Sequence, residues 1–142
     1  MTYPVGQLAH NAGKYAVGSL PSFSPTIRDI AWAAGIYEGE GTCQSVKYAQ
    51  GIAKGVAVRV VQKDAWLTAR LRELFGGSNS KYSIRCGSPK NPGERREYWH
   101  WDLYGSRAIG FLETIYVFLS PRRQEQIRNV LVQIRRQEEL EN

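Results

Sequence analysis

From Ile27 onward the chain switches between two hydrophobic periods. Ile27, Ile30, Ala31, Ala34 and Gly35 recur at i, i+3, i+4, i+7 and i+8, the spacing that lines one helix face. Ser24 and Pro25 supply a start, a capping hydroxyl followed by a proline at the first helical position. Gly39-Glu40-Gly41 supplies the stop. Two strands are predicted next. Thr42 to Gln50 is mixed in polarity, whereas Val56 to Gln62 is β-branched and must be largely buried; a turn region with Gly51 and Gly55 separates them. Asp64 then caps a second helix whose apolar stripe is Trp66, Leu67, Leu71, Leu74 and Phe75, ended by Gly76-Gly77. A third strand is predicted from about Asn79 to Cys86, and residues 87–93 form a loop by their Gly, Pro and Asn content. Arg95 to Tyr104 is the fourth strand, with Trp99, Trp101 and Leu103 on one face. Ser106 caps a third helix reaching Leu119. Pro121 opens a last helix with Ile127, Val130, Leu131 and Ile134 at core spacing.

The predicted order is α-β-β-α-β-β-α-α, an α+β class in which one antiparallel or mixed sheet carries helices on one face. Alternation puts charge on the other face: Lys81, Ser83 and Arg85 on the third strand, and Arg96, Tyr98, His100 and Asp102 on the fourth. Residues 1–24, rich in Gly, Pro and Ser and without sustained periodicity, are expected to be a flexible arm. Residues 25–142 then form a single domain, and 142 residues suffice for one core.

Composition narrows the setting. No apolar run approaches the ~20 residues that span a bilayer, and the first fifteen residues lack the pattern of a secretory signal. A soluble, intracellular protein without membrane partners is expected, in cytoplasm or an organelle matrix. Cys43 and Cys86 fall in different predicted strands, and no CxxC occurs, so both are expected to be buried free thiols. The net charge of +6 is unevenly spread: residues 42–96 hold eleven Lys or Arg against three Asp or Glu. A basic middle segment with little acid is the footprint expected for a phosphate backbone.

The stretch with chemical content is Ala33-Ala34-Gly35-Ile36-Tyr37-Glu38-Gly39-Glu40-Gly41. Ala31, Ala34 and Gly35 give a helix face with almost no side-chain bulk, against which a second helix can pack closely. Glu38 and Glu40 put carboxylates at the end of that helix, and carboxylate oxygens suit hard divalent cations. This stretch resembles the motif of the LAGLIDADG homing endonucleases. It keeps Ala34, Gly35, Ile36 and Gly41 and an acid at both acidic positions, but has Ala33 for leucine and a bulky Tyr37. The strand that follows at once, Val61-Gln62-Lys63-Asp64 before the second helix, Phe75-Gly76-Gly77 after it, Trp101 to Tyr104 and the Phe-Leu pairs at 111–112 and 118–119 extend the resemblance over roughly residues 26–135.

The resemblance implies an αββαββα domain with a saddle-like, DNA-binding sheet, and a homodimer because one chain supplies one motif helix. It implies Ala31, Ala34 and Gly35 at the dimer interface, Glu40 as ligand of Mg²⁺ or another divalent ion such as Mn²⁺, and Gln62 near the reacting water. Arg122 falls where related enzymes often carry a lysine, with Arg123 as the other candidate. Arginine can neutralise phosphate but is a poor proton-transfer group. The implied activity is metal-dependent cleavage of both strands of double-stranded DNA at a long pseudo-palindromic site, in the service of intron or intein mobility. Strand alternation selects Gln44, Tyr48, Arg59, Lys81, Ser83, Arg85, Arg96, Tyr98 and His100 as DNA-contacting residues. An alternative is a non-cleaving protein of the same fold, an RNA-splicing maturase or a transcriptional regulator. A GIY-YIG nuclease is disfavoured because Gly35-Ile36-Tyr37 has no YIG partner, and an HNH nuclease because His100 lacks company.

Overall fold

A computed structural model of the chain describes residues 24–47 and 53–141, together with Pro21. The expected arm, apart from Pro21 and Ser24, and Tyr48 lie outside the described residues. The elements in chain order are α1 (Ile27–Glu40), β1 (Gly41–Lys47), β2 (Ala53–Gln62), α2 (Ala65–Phe75), β3 (Ser78–Arg85), β4 (Arg95–Tyr104), α3 (Ser106–Ile115), a 3-10 turn (Tyr116–Phe118) and α4 (Pro121–Glu141). The strands form one antiparallel sheet in the order β1-β2-β4-β3, and the class is α+β as expected. Among the described residues no helix is long and apolar enough to cross a membrane.

The start of α1 is set by Thr26 rather than Ser24. Its hydroxyl accepts from Asp29 N (3.1 Å) while the Asp29 carboxylate accepts from Thr26 N (2.9 Å). This reciprocal box satisfies two helix-end donors at once, which a lone serine two residues earlier cannot do. Those contacts, the backbone one foremost, hold the Asp29 carboxyl below its ordinary pKa. Within α1 the expected apolar face splits in two. Ile30, Ala33, Ala34 and Tyr37 are buried in the chain's own core, whereas Ile27, Ala31 and Gly35 are exposed.

Alternation along the strands separates two faces. Val58 lies opposite Leu103 and Val60 opposite Trp101, and all four are buried beneath the helices. Phe75 and Trp101 meet Phe111 edge to face at 5.0 Å, and Tyr37 meets it at 6.2 Å, joining α1, α2, β4 and α3 in one core. Burying each large side chain of this kind contributes roughly 1.5–3 kcal/mol. The Trp101 indole N–H donates to Gly76 O (2.8 Å), which fixes the end of α2 on β4. Gly77 must be glycine: its φ is +91° and an added Cβ would lie 2.3 Å from Asp102 O.

Asp64 caps α2 as expected, accepting from Trp66 N (3.0 Å). Trp66, however, is 63% exposed and leaves the stripe; Thr68 takes the buried place, its hydroxyl satisfied by Ala65 O. The third helix stops at Ile115, not Leu119, and tightens into the 3-10 turn before Pro121. Gly105 precedes it in a left-handed conformation (φ 65°), its N–H donating to Val56 O (2.9 Å). Cys43 and Cys86 are free thiols, each partly exposed rather than buried.

Candidate nuclease site and sheet face

The end of α1, the start of α4 and the end of β2 meet at one end of the sheet. Gly41 lies opposite Val60, so Glu40 and Gln62 flank the same stretch of the β1–β2 pair. Gly41 is required there by packing: an added Cβ would lie 2.1 Å from the Tyr37 ring. Gly39 has no such reason, since a Cβ there would meet nothing within 4 Å.

The two acids of the motif have separate fates. Glu38 is bound by the start of α4, accepting from Ser120 N (2.6 Å) and Ser120 Oγ (3.0 Å). Its charge lies at a helix N-terminus, where the backbone dipole favours an anion. The Ser120 N–H first, then its hydroxyl and the guanidinium groups of Arg123 and Arg122, hold the Glu38 carboxyl below its ordinary pKa. Glu40 is exposed at the last position of the helix and has no hydrogen-bond or ion-pair partner among the described residues.

The two arginines divide likewise. Arg123 is 12% exposed and donates to Glu38 O (3.1 Å), Gly41 O (2.9 Å) and Gln126 Oε1 (3.2 Å), with its guanidinium 5.4 Å from the Tyr37 ring centroid. It is a structural tie between α4 and the motif. Arg122 is 67% exposed and touches Glu38 only at 4.0 Å, so it is the arginine available to a ligand. Gln62 closes β2 half-buried beside Trp99.

A depressed carboxyl stabilises the fold above the ordinary carboxylate range and loses that effect as pH falls through its folded pKa. Glu38→Gln is therefore expected to melt below the parent at neutral pH. The gap should close as pH drops beneath the carboxylate range. Thermal melts over a pH series check this, and a gap independent of pH would count against the Glu38–Ser120 tie.

The open sheet face carries part of the expected contact set. Thr42 and Gln44 of β1, Arg59 of β2, Arg96, Tyr98, His100 and Asp102 of β4, and Tyr82 of β3 share it by register. Tyr82 stacks on Tyr98 (5.7 Å) and meets His100 edge-on (5.3 Å), while Lys63 reaches over Tyr98 (5.9 Å). Lys81, Ser83 and Arg85 do not belong to it. Ser80 lies opposite His100 and Tyr82 opposite Tyr98, which turns Lys81, Ser83 and Arg85 to the helix side. They expose themselves there because the β3–β4 hairpin runs past the helices. Lys81 pairs with Glu97 (3.1 Å), and Arg95 Nε donates to Ser83 Oγ (2.9 Å).

On that reverse face Arg85 stands directly opposite Arg95. Like charges so placed destabilise a hairpin. Arg85→Thr is expected to raise stability at low salt by about 0.2–1 kcal/mol, with the gain shrinking as salt screens the pair. If duplex DNA lies on the open face, Arg96→Ala there should instead weaken its binding and lower the salt slope by roughly one. Melts and a salt series on both variants test the register. Equal loss of binding in the two would argue against it.

Of the expected interface residues, Ala31 and Gly35 are exposed, and a Cβ on Gly35 would meet nothing within 4 Å. Ala34 is 1% exposed and faces the core, so it cannot serve a partner helix. The 3-10 turn packs on α1 and exposes Val117 and Phe118, a contribution that the motif alone does not announce. Asp102 lies in the charged column but is not one of the contact residues that the sequence selects; its signal is an acid in a row with Arg96 and His100.

No protein-family model and no curated relative matches the chain.

Proposed function

We propose that the protein is a homodimeric, divalent-metal-dependent endonuclease that cuts both strands of double-stranded DNA at a specific site. The observation that carries this reading is the end of α1. An exposed face bearing Ala31, Gly35 and Gly39 leads to Glu40, the acid of the motif that has no partner among the described residues. A glycine inside a helix costs about 0.8–1 kcal/mol relative to alanine. Nothing among the described residues requires glycine at 35 or 39, since each has open space where a Cβ would sit. Close approach of a second helix accounts for both.

Two copies paired along α1 bring two Glu40 carboxylates to the axis. Among the described residues no three His, Cys, Asp or Glu side chains converge within one chain. Mg²⁺ suits such a site because it takes one or two carboxylates and completes its shell with water and phosphate. When bound, it stabilises charge on the phosphate and lowers the pKa of a coordinated water. Glu40 would hold the ion. Gln62 offers an amide at the end of β2 to orient water, and Arg122 offers a permanent positive charge to the phosphate. Arg123 and Glu38 act at one remove by fixing the motif to α4. The open sheet face, with Arg59, Arg96, Gln44, Tyr98 and His100, lies along the major groove. A nicking assay on supercoiled plasmid carrying a selected site, with and without Mg²⁺, tests the reading. Binding without metal-dependent cleavage would support the non-cleaving alternative instead.

A further inference from the structure

The least expected group on the open face is a carboxylate. Asp102 is only 4% exposed in its side chain, although it points to the face proposed to meet DNA. A buried carboxylate is costly unless donors surround it. Both its oxygens are used: Oδ1 accepts from Arg59 Nε at 2.6 Å, and Oδ2 is paired with His100 Nδ1. Arg59 comes from the directly opposite position on β2 and His100 from two residues back on β4. Both remain reachable, Arg59 at 49% and His100 at 19% side-chain exposure.

The consequence is chemical. An ionised carboxylate only accepts hydrogen bonds, so both neighbours must donate to it. Arg59 spends Nε on Asp102 and also meets the Tyr104 hydroxyl, and its guanidinium still has N–H groups left for a ligand. A neutral His100 must carry its proton on Nδ1, which leaves Nε2 as an acceptor. The outward surface is thus a planar pair of donors beside a single acceptor. In the major groove guanine presents two acceptors, O6 and N7, and cytosine presents the N4 amino donor. An A·T pair places the adenine amino donor next to N7, where a bidentate arginine finds only one acceptor.

We propose that Asp102 is a positioning residue that sets Arg59 and His100 to read a G·C pair. Arg59 takes the guanine edge, and Nε2 of neutral His100 takes the amino hydrogen of the cytosine in the same pair or the next. The side chains around His100 are Asp102 and Tyr98 on β4, Tyr82 on β3, Arg59 on β2 through Asp102, and Lys63 over Tyr98. Its direct neighbours across the sheet, Val61 and Ser80, carry no charge. The inference rests on the proposed duplex-DNA reading and adds what that reading leaves open, one specified base pair.

The test is selection of bound sites from a randomised duplex pool by the full chain. The parent should enrich a motif with one strong G·C position. Asp102→Asn should reduce preference at that position by about five- to a hundred-fold, while other positions and the salt slope stay as in the parent. His100→Gln, which keeps a donor and an acceptor, should retain a preference there. Arg59→Met should lose the guanine preference. These two variants, with their accessible side chains, carry the test if Asp102→Asn does not fold. Enrichment of a motif with no strong G·C position, or one that Asp102→Asn reads unchanged, overturns this inference alone. Failure of the parent to enrich any duplex overturns it together with the proposed function.

Discussion

Glu40→Gln is expected to bind its duplex as tightly as the parent and to cut it at least about a hundred-fold more slowly. Loss of an outer partner already costs a metal site ten- to a hundred-fold, and removal of the ligand itself must cost no less. The amide keeps the size of the side chain and removes only the charge that holds a divalent ion. Because Glu40 is exposed and has no partner among the described residues, the fold loses no contact there. An anion near phosphates also opposes binding, so affinity should hold or rise slightly. The same substitution at Glu38 gives the contrast. That acid belongs to Ser120 and the α4 start, so its loss should be felt first in stability. Single-turnover cleavage with Mg²⁺, set beside binding without it, measures both. Undiminished cleavage by Glu40→Gln would remove Glu40 from the site and shift the assignment to another acid.

Gly35→Leu is expected to convert a dimer into a monomer that is more stable than the parent's own chain. These opposite signs distinguish an interface from a core position. Inside one chain the leucine meets open space and replaces a poor helix former, a gain of about 0.5–1 kcal/mol. Between two chains the same side chain props the α1 helices apart, and the close approach that small residues permit is lost. Cleavage of both strands should fall with it, since each chain supplies one Glu40. Light scattering at micromolar concentration reports mass, and denaturant unfolding reports the gain. A parent that is monomeric both free and on DNA would count against the arrangement. So would a variant that keeps the dimer. Ala34 provides the internal control. It faces the core, so Ala34→Leu should destabilise the chain through overpacking, by roughly 1–3 kcal/mol.

The positions of the elements follow from local chemistry, and the sequence by itself determined them. Asp64 as a cap, Gly76-Gly77 as a stop, Pro121 as a start and the Trp99, Trp101, Leu103 alternation act within a few residues of the chain. Ser24 and Pro25 form a valid local start signal, but Thr26 caps α1 because Asp29 returns a second hydrogen bond to it, which the pattern does not show. The division of α1 into a core face and an open face was beyond the pattern for another reason. Ile27, Ala31 and Gly35 have the same apolar spacing as Ile30 and Ala34, and only the helix's docking on the sheet decides which stripe is covered. The face carrying Lys81, Ser83 and Arg85 was decided in the same way. Alternation within β3 is legible, but its phase relative to β4 is set by the cross-strand register, in which Tyr82 meets Tyr98 and a one-residue slip inverts every side chain. Long-range ties were equally invisible. Glu38 with Ser120, Arg123 with Gly41 and Asp102 with Arg59 join residues 82, 82 and 43 positions apart. The sequence told where two carboxylates, Glu38 and Glu40, and two arginines, Arg122 and Arg123, lie along the chain. Tertiary structure decided which of each pair is spent on holding the fold and which is left for a ligand, because only packing determines which partner reaches a charge first.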